Sequence, residues 1–200
     1  MTKIRFVTPE DASPILDIYA PYVSSTTVTF ETNVQRLYDI RRRIATISSV
    51  TPFLVCEIDG KIAGFSYADA DSKRHLPAYG WNTNVYVYIH DDYQKCNIAS
   101  ALYLAMISLL TEQGYKKIIA LVNASDTVSE SFHLAFGFKK VGVFENLCWK
   151  LGRWHSVSIF EKVLDDSLKE PQPVKTIKEL DIDFCQKSFS QCEKIIRIRK

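Results

Sequence analysis

At 200 residues, 46% of them hydrophobic and 12% aromatic, the chain is long enough for one domain with a sizeable core, or for one domain and a tail. A formal net charge of +2 with no long basic block argues against nucleic acid or an anionic membrane as the main partner, and no run of about 18 apolar residues supplies a membrane span. The N-terminus has no apolar signal core. Five cysteines, odd in number and without a C-x-x-C pair, fit a reduced cytoplasmic protein.

Residues 3–7 alternate as a first strand. Thr8-Pro9-Glu10-Asp11 reads as a helix start, with a cap, a first-turn proline and acids, and the helix turns Ile15, Leu16, Ile18 and Tyr19 inward. Residues 24–30 read as loop or short extended chain. Asn33 is expected to cap a second helix with Leu37, Ile40, Ile44 and Ile47 on one face, leaving Arg36, Arg41, Arg42 and Arg43 as a solvated face. Two β-rich runs, 53–58 and 61–70, meet at Asp59-Gly60 and predict a hairpin, followed by a polar loop over 71–77.

The run V-Y-V-Y-I at 85–89 suits a strand buried on both faces. A polar turn at 90–95 leads into Ile98, Leu102, Ala105, Met106, Leu109 and Leu110, a helical stripe that Gly114 closes. The unpaired N–H groups at the start of that helix, with its dipole, can receive a diphosphate, although the spacing alone equally fits a plain β–α connection. A strand over 117–122, a short helix over 125–135 and a strand pair, 140–148 and 154–163, complete the order β-α-α-β-β-β-α-β-α-β-β with no internal repeat. Beyond Asp165 the texture changes at Pro171 and Pro173. Helical spacing of Ile177, Leu180, Phe184, Cys185, Phe189, Cys192 and Ile196 predicts a C-terminal helix on an appendage. The expected division is a domain over 1–164 and an extension over 165–200 that packs on the domain or on a partner chain.

Gln94-Lys95-Cys96-Asn97-Ile98-Ala99 resembles the Q/R-x-x-G-x-G/A loop of the GNAT superfamily of N-acetyltransferases, with Asn97 where the first glycine is usual. Four further stretches narrow the resemblance to the phosphinothricin acetyltransferase branch. They are Thr26-Thr-Val-Thr-Phe-Glu31, Ala78-Tyr-Gly-Trp81 running without gaps to Gln94, Ser129-Glu-Ser-Phe-His-Leu-Ala-Phe-Gly-Phe138, and Lys150-Leu-Gly-Arg-Trp-His-Ser-Val157. The resemblance implies an α/β GNAT fold, a mixed and mostly antiparallel sheet flanked by helices. It also implies transfer of acetyl from acetyl-CoA, without a metal, to the amino group of a small amino acid or analogue, in a protein that can form homodimers.

By the same resemblance the loop amides of Gln94, Lys95, Cys96, Asn97, Ile98 and Ala99 hold the diphosphate. Val87, Tyr88 and Ile89 present backbone N–H groups to the acyl oxygen, and Asn123 and Ser129 contact the coenzyme. His133 stands where relatives carry a tyrosine that protonates the thiolate. Phe30, Arg74, Tyr79, Trp154 and His155 are expected around the acceptor. Two positions depart from the pattern. Asn84 replaces the presumed glutamate base and takes no proton at neutral pH, and Leu76 replaces an arginine suited to a carboxylate, with Arg74 and His75 nearby. A water chain to Glu31, Asp69 or Asp71 is one outlet for the amine's proton. Cys96 reads as a small filler residue, and the four histidines lack metal-ligand spacing. A protein N-terminus or polyamine as acceptor, and a non-catalytic acetyl-CoA-binding module, are the other readings. Since the likeness ends near Leu164, donor binding is expected to need nothing beyond it.

Overall fold

The structure, a computed structural model, describes residues 1–69 and 77–198. Seven strands form one sheet: β1 (Thr2–Phe6), β2 (Phe53–Ile58), β3 (Lys61–Asp69), β4 (Asn82–Ile89), β5 (Lys117–Asn123), β6 (Lys139–Lys150) and β7 (Arg153–Val163). Their spatial order is β1-β2-β3-β4-β5-β7-β6, antiparallel except for a parallel β4–β5 pair. The hairpins close as their sequences require. Asp59 and Gly60 (φ 49° and 81°) join β2 to β3, and Leu151 and Gly152 (φ 51° and 77°) join β6 to β7, each a two-residue turn with both residues left-handed.

Among the described residues five α-helices cover the sheet: α1 (Ala12–Ser25), α2 (Leu37–Ile47), α3 (Ile98–Gln113), α4 (Thr127–Ala135) and α5 (Ile182–Glu193). The alternation of β3 and β4 sends Phe65, Tyr67, Tyr86 and Tyr88 to the face covered by α1 and α2, where they meet Ile15, Tyr19, Ile40 and Ile44. Val85, Val87 and Ile89 go to the opposite face with Leu102, Met106 and Leu109 of α3 and Phe189 of α5. Gly64 permits the close β3–β4 approach, because a Cβ there would stand 2.9 Å from the Tyr88 carbonyl oxygen.

Several expectations shift. The first helix runs through Pro21 to Ser25, because hydroxyls satisfy its last carbonyls: Thr26 Oγ1 donates to Tyr22 O (2.8 Å) and Ser24 Oγ to Ala20 O (3.0 Å). The second starts at Leu37 instead of after Asn33, where the Asp39 carboxylate receives the Arg36 N–H at 3.3 Å. Arg43 is not on a solvated face; it turns in against Tyr19 and pairs with Glu31. The central strand begins at Asn82, and Tyr86, Val87 and Ile89 are only half-buried because cavities open beside them. The C-terminal helix is present, capped by Asp181, but starts at Ile182.

Candidate active site

β4 and β5 pair only at their starts, from Asn82↔Lys117 to Asn84↔Ile119. Beyond that point β4 stays with β3, while β5 follows β7 over its whole length, from Lys117↔Val163 to Asn123↔Val157. The two strands therefore diverge and leave a cavity of about 530 Å³, lined by β4 from Asn84 to Ile89, β5 from Ile119 to Asn123, the start of α3 and the inner side of α4. The His90 N–H bonds to Ala63 O at 2.9 Å on the β3 side. Strand alternation then turns the N–H groups of Ile89 and Val87 the other way, into the gap. Ile89 N meets the Tyr22 hydroxyl at 3.4 Å, so Val87 carries the N–H left open to the cavity.

At one end of this cavity lies the loop before α3. Lys95 and Asn97 both adopt left-handed φ (60° and 61°), which folds the loop tightly and presents the first amides of α3. The helix has no side-chain N-cap, and its first main-chain bond is Ala101 N to Asn97 O (3.0 Å). The amides of Ile98, Ala99 and Ser100, whose residues line the cavity, therefore lack helical partners and form an anion-binding end. Cys96 is buried with Sγ on Gln94 O (3.6 Å), as a filler would be. Gln94 spends its side-chain amide on Tyr22 and Asp91.

The far wall is α4. Asp126 caps it through Ser129 N (3.0 Å) and Ser129 Oγ (2.7 Å). His133 donates from Nδ1 to Ser129 O at 2.7 Å, which leaves Nε2 as the acceptor nitrogen. Burial holds its pKa below the ordinary histidine value, against the opposing pull of the Ser129 bond, so the ring is neutral at pH 7. Its neighbour is Tyr103 of α3, ring centroids 5.7 Å apart. Tyr103 is 1% exposed, its hydroxyl has no partner, and burial raises its pKa well above the usual phenol range. A buried polar group without a partner is costly, and Tyr103 is among the residues that line the cavity.

A second cavity, about 550 Å³, opens on the α1–α2 face. Tyr86 and Tyr88 line both cavities. Arg43 donates to Glu31 Oε1 at 2.5 Å while Gln35 Nε2 donates to Glu31 Oε2 at 3.1 Å, so both oxygens of this carboxylate are engaged. Asp69 lines the same cavity and stands directly opposite Asn84 in the β3–β4 register. Directly opposed residues share a face with Cβ atoms about 5 Å apart. Asn84 donates weakly to the Tyr86 hydroxyl (3.4 Å), and its carbonyl oxygen is buried without a partner. Below, the buried Lys150 ammonium donates to Thr29 O at 2.6 Å and anchors the 29–31 segment; burial lowers its pKa.

Of the sequence-predicted residues, Val87, Tyr88, Ile89, the loop from Gln94 to Ala99 except buried Cys96, Asn123, Ser129, His133 and Asn84 line the first cavity, and Phe30 lines the second. Arg74, with His75, Leu76 and Asp71, lies outside the described residues. Tyr79, Trp154 and His155 line neither cavity. Tyr79 and Trp154 are exposed, the latter edge-on to Trp149. His155 is buried, accepting from Asn123 Nδ2 (3.2 Å) and donating to Lys150 O (2.9 Å). That network explains why a histidine stands there without facing a ligand. Sequence reading missed Tyr103, Arg43 and Lys150. Tyr103 had a local signal, a phenol among the apolar residues of α3, and Lys150 opened one of the family-like stretches without a role being assigned to it.

Residues 4–158 match the family model described as an acetyltransferase (GNAT) domain. The chain is 28% identical to a phosphinothricin N-acetyltransferase of Streptomyces viridochromogenes, over 89% of this chain and 96% of that protein. It is 31% identical to a phosphinothricin N-acetyltransferase of Alcaligenes faecalis, over 81% and 82% of the two chains. The fold superposes on a phosphinothricin acetyltransferase of Sinorhizobium meliloti, solved in complex with acetyl-CoA, with a TM-score of 0.80 at 23% identity over 90% of this chain and 97% of that one. The split β4–β5 pair, the loop before α3 and these likenesses agree: the chain belongs to the GNAT family of acetyltransferases, on the branch that holds the phosphinothricin N-acetyltransferases, and is an acetyl-CoA-dependent N-acetyltransferase.

Proposed function

We propose that the protein acetylates the α-amino group of a small amino acid or amino-acid analogue, with the donor in the β4–β5 cavity and the acceptor in the cavity beneath α1 and α2. The observation that carries this reading is the pair Tyr86 and Tyr88, which line both cavities and bring them together at β4. Acetyl-CoA supplies the activated acyl thioester. The unpaired amides at the start of α3, with exposed Lys95 beside them, suit its diphosphate. Val87 N–H is the donor for charge developing on the acyl oxygen.

Asn84, which lines the donor cavity and bonds to the Tyr86 hydroxyl where the two cavities meet, offers its unpartnered carbonyl oxygen to an N–H of the amine and takes no proton. Asp69, directly opposite Asn84 in the β3–β4 register and lining the acceptor cavity, receives that proton. On the sulfur side two groups adjoin. His133 carries its single proton on Nδ1 at neutral pH, turned to Ser129 O, whereas the Tyr103 hydroxyl stays protonated at every working pH. Tyr103 is therefore the hydrogen-bond donor to the leaving thiolate at pH 7 and above, and His133 joins it as an acid at lower pH.

The acetyltransferase domain is the 1–164 segment, with the extension packed against it through α5. The edge strand β6 exposes Val141, Val143, Phe144, Leu147 and Trp149, an apolar face suited to a second copy of the chain. A reduced compartment, the cytoplasm, suits five cysteines that are all free. No helix among the described residues is long and apolar enough to cross a membrane.

The test is calorimetric titration with CoA and acetyl-CoA, followed by thiol release over amino acids, their sulfone and sulfoximine analogues, polyamines and peptides. Binding and turnover confined to amino acids and analogues is the expected result. Turnover only on peptides or polyamines would replace the acceptor, and binding without turnover on any amine would overturn the catalytic reading.

A further inference from the structure

The segment after α5 reaches the donor loop. Arg197 N donates to Cys96 O at 2.9 Å, and Asn97 Nδ2 donates to Ile195 O at 3.2 Å. These two bonds join residues about a hundred positions apart, and they fall on the two loop residues that precede the first turn of α3. The reach is not incidental to a loose tail. Cys185, Phe189 and Cys192 of α5 are buried in the same core as Leu102, Met106 and Leu109 of α3. Phe189 meets Phe6 edge-on at 5.2 Å, and Glu193 accepts the Ile4 N–H at 2.7 Å. Turns from Cys192 O to Ile195 N and from Glu193 O to Ile196 N then swing the chain under the loop, where Ile195 and Ile196 are half-buried.

Asn97 ties this arrangement to the loop's chemistry. With φ at 61° the position favours glycine, and asparagine is among the residues that tolerate it. Glycine would leave the loop free to sample many conformations. Asparagine instead carries a side-chain donor, and here that donor is spent on the C-terminal segment and not on capping α3.

We propose that residues 195–197 are an internal brace that holds the diphosphate loop in its binding conformation, with Asn97 as the positioning residue that connects the two. The proposal rests on the donor reading given above. A loop ordered before the ligand arrives loses less conformational freedom on binding, so the brace acts on donor affinity and not on acceptor recognition. The expectation that donor binding needs nothing beyond Leu164 is thereby reversed.

Three variants separate the brace from packing and from charge. A chain ending at Lys194 keeps all of α5 and removes both bonds. Arg197→Pro removes the N–H that reaches Cys96 O, because proline has none, together with the guanidinium. Arg197→Ala keeps that N–H and removes the guanidinium. Expected are CoA dissociation constants five- to tenfold weaker for the truncation and for Arg197→Pro, within twofold of native for Arg197→Ala, and an unchanged KM for the amine. In the ligand-free protein, hydrogen exchange of the Ala101 amide, which the loop holds through Asn97 O, should quicken at least fivefold in the first two variants only. Native-like CoA affinity and native-like exchange in the truncated chain would overturn the brace. So would an Arg197→Ala defect as large as the truncation's, which would assign the effect to charge. If the native protein binds no CoA, the donor reading fails, while the exchange measurement still decides whether the brace exists.

Discussion

Tyr103→Phe is the most discriminating single change, because its effects on stability and on catalysis should have opposite signs. The hydroxyl is buried, unpartnered and set among Phe132, His133, Phe136 and Phe138. Removing a buried hydroxyl that has no hydrogen bond relieves a desolvation penalty of about 1–3 kcal/mol and leaves the ring packing intact. Taking the low end, about 1 kcal/mol, the Tm of a chain of this size rises by about 2–4 °C. If the same hydroxyl donates to the leaving thiolate, the variant loses a hydrogen bond to a developing charge, about 1.5–3 kcal/mol in the transition state. That is a fall in kcat of about 10- to 150-fold, with CoA affinity little changed because the charge exists only during reaction. Differential scanning fluorimetry and a thiol-release assay at pH 7.5 measure both. A Tm lowered by several degrees would mean that the hydroxyl has a partner within the fold. A kcat within twofold of native would remove Tyr103 from the chemistry.

Asp69→Asn should lower turnover near pH 7 by about 10- to 100-fold and by much less near pH 9, where amines shed their own protons. Asn84→Glu should raise the neutral rate, at a stability cost of about 0.5–1 kcal/mol from two carboxylates placed directly opposite each other; a native pH–rate profile that Asp69→Asn leaves unchanged sinks the proton route. His133 gives a stability signature, because burial favours its neutral form in the fold. Its contribution is present above the unfolded-state value near 6.5 and is lost as pH falls below it, since the unfolded chain then binds the extra proton. Urea titrations should show stability dropping as pH falls below about 6.5, and His133→Gln should flatten that slope; an equal slope in the variant would assign it elsewhere.

The β4–α3 part of the candidate donor cavity was legible because it is local in the chain. Strand β4, the loop and α3 occupy one continuous run from Asn82 to Gln113, so periodicity and turn residues reveal them together. The two hairpins were legible for the same reason, through Asp59-Gly60 and Leu151-Gly152. Arg43 shows where local reading ends. As one of three arginines on α2 it is indistinguishable from a solvated face, and only the partner arriving from Glu31 and the Tyr19 ring selects it. His155 shows the converse. Its motif implied a pocket residue, yet the acceptor and donor it satisfies are the Lys150 carbonyl and the Asn123 amide, groups inside the sheet.

The acceptor side is assembled differently, and that difference bears on specificity. Its walls come from α1 and the 29–31 segment, from α2, from the end of β3 and from alternate residues of β4, and sheet register alone brings Asp69 opposite Asn84. A substitution at any one of these segments changes the cavity without touching the donor loop. On the proposed chemistry Asn84 needs no carboxyl of its own, provided a neighbouring strand offers a carboxylate on the same face. The donor side has less freedom of this kind, because its contacts are mostly main-chain amides whose geometry depends on backbone conformation. Where the chain departs from the usual glycine, at Asn97, the compensation is again a contact made at a distance, to the main chain of Ile195. Main-chain carbonyls leave no mark in a sequence. A reading by motif therefore registers Asn97 as a weakened loop, whereas the fold uses it as the point where the loop is fastened.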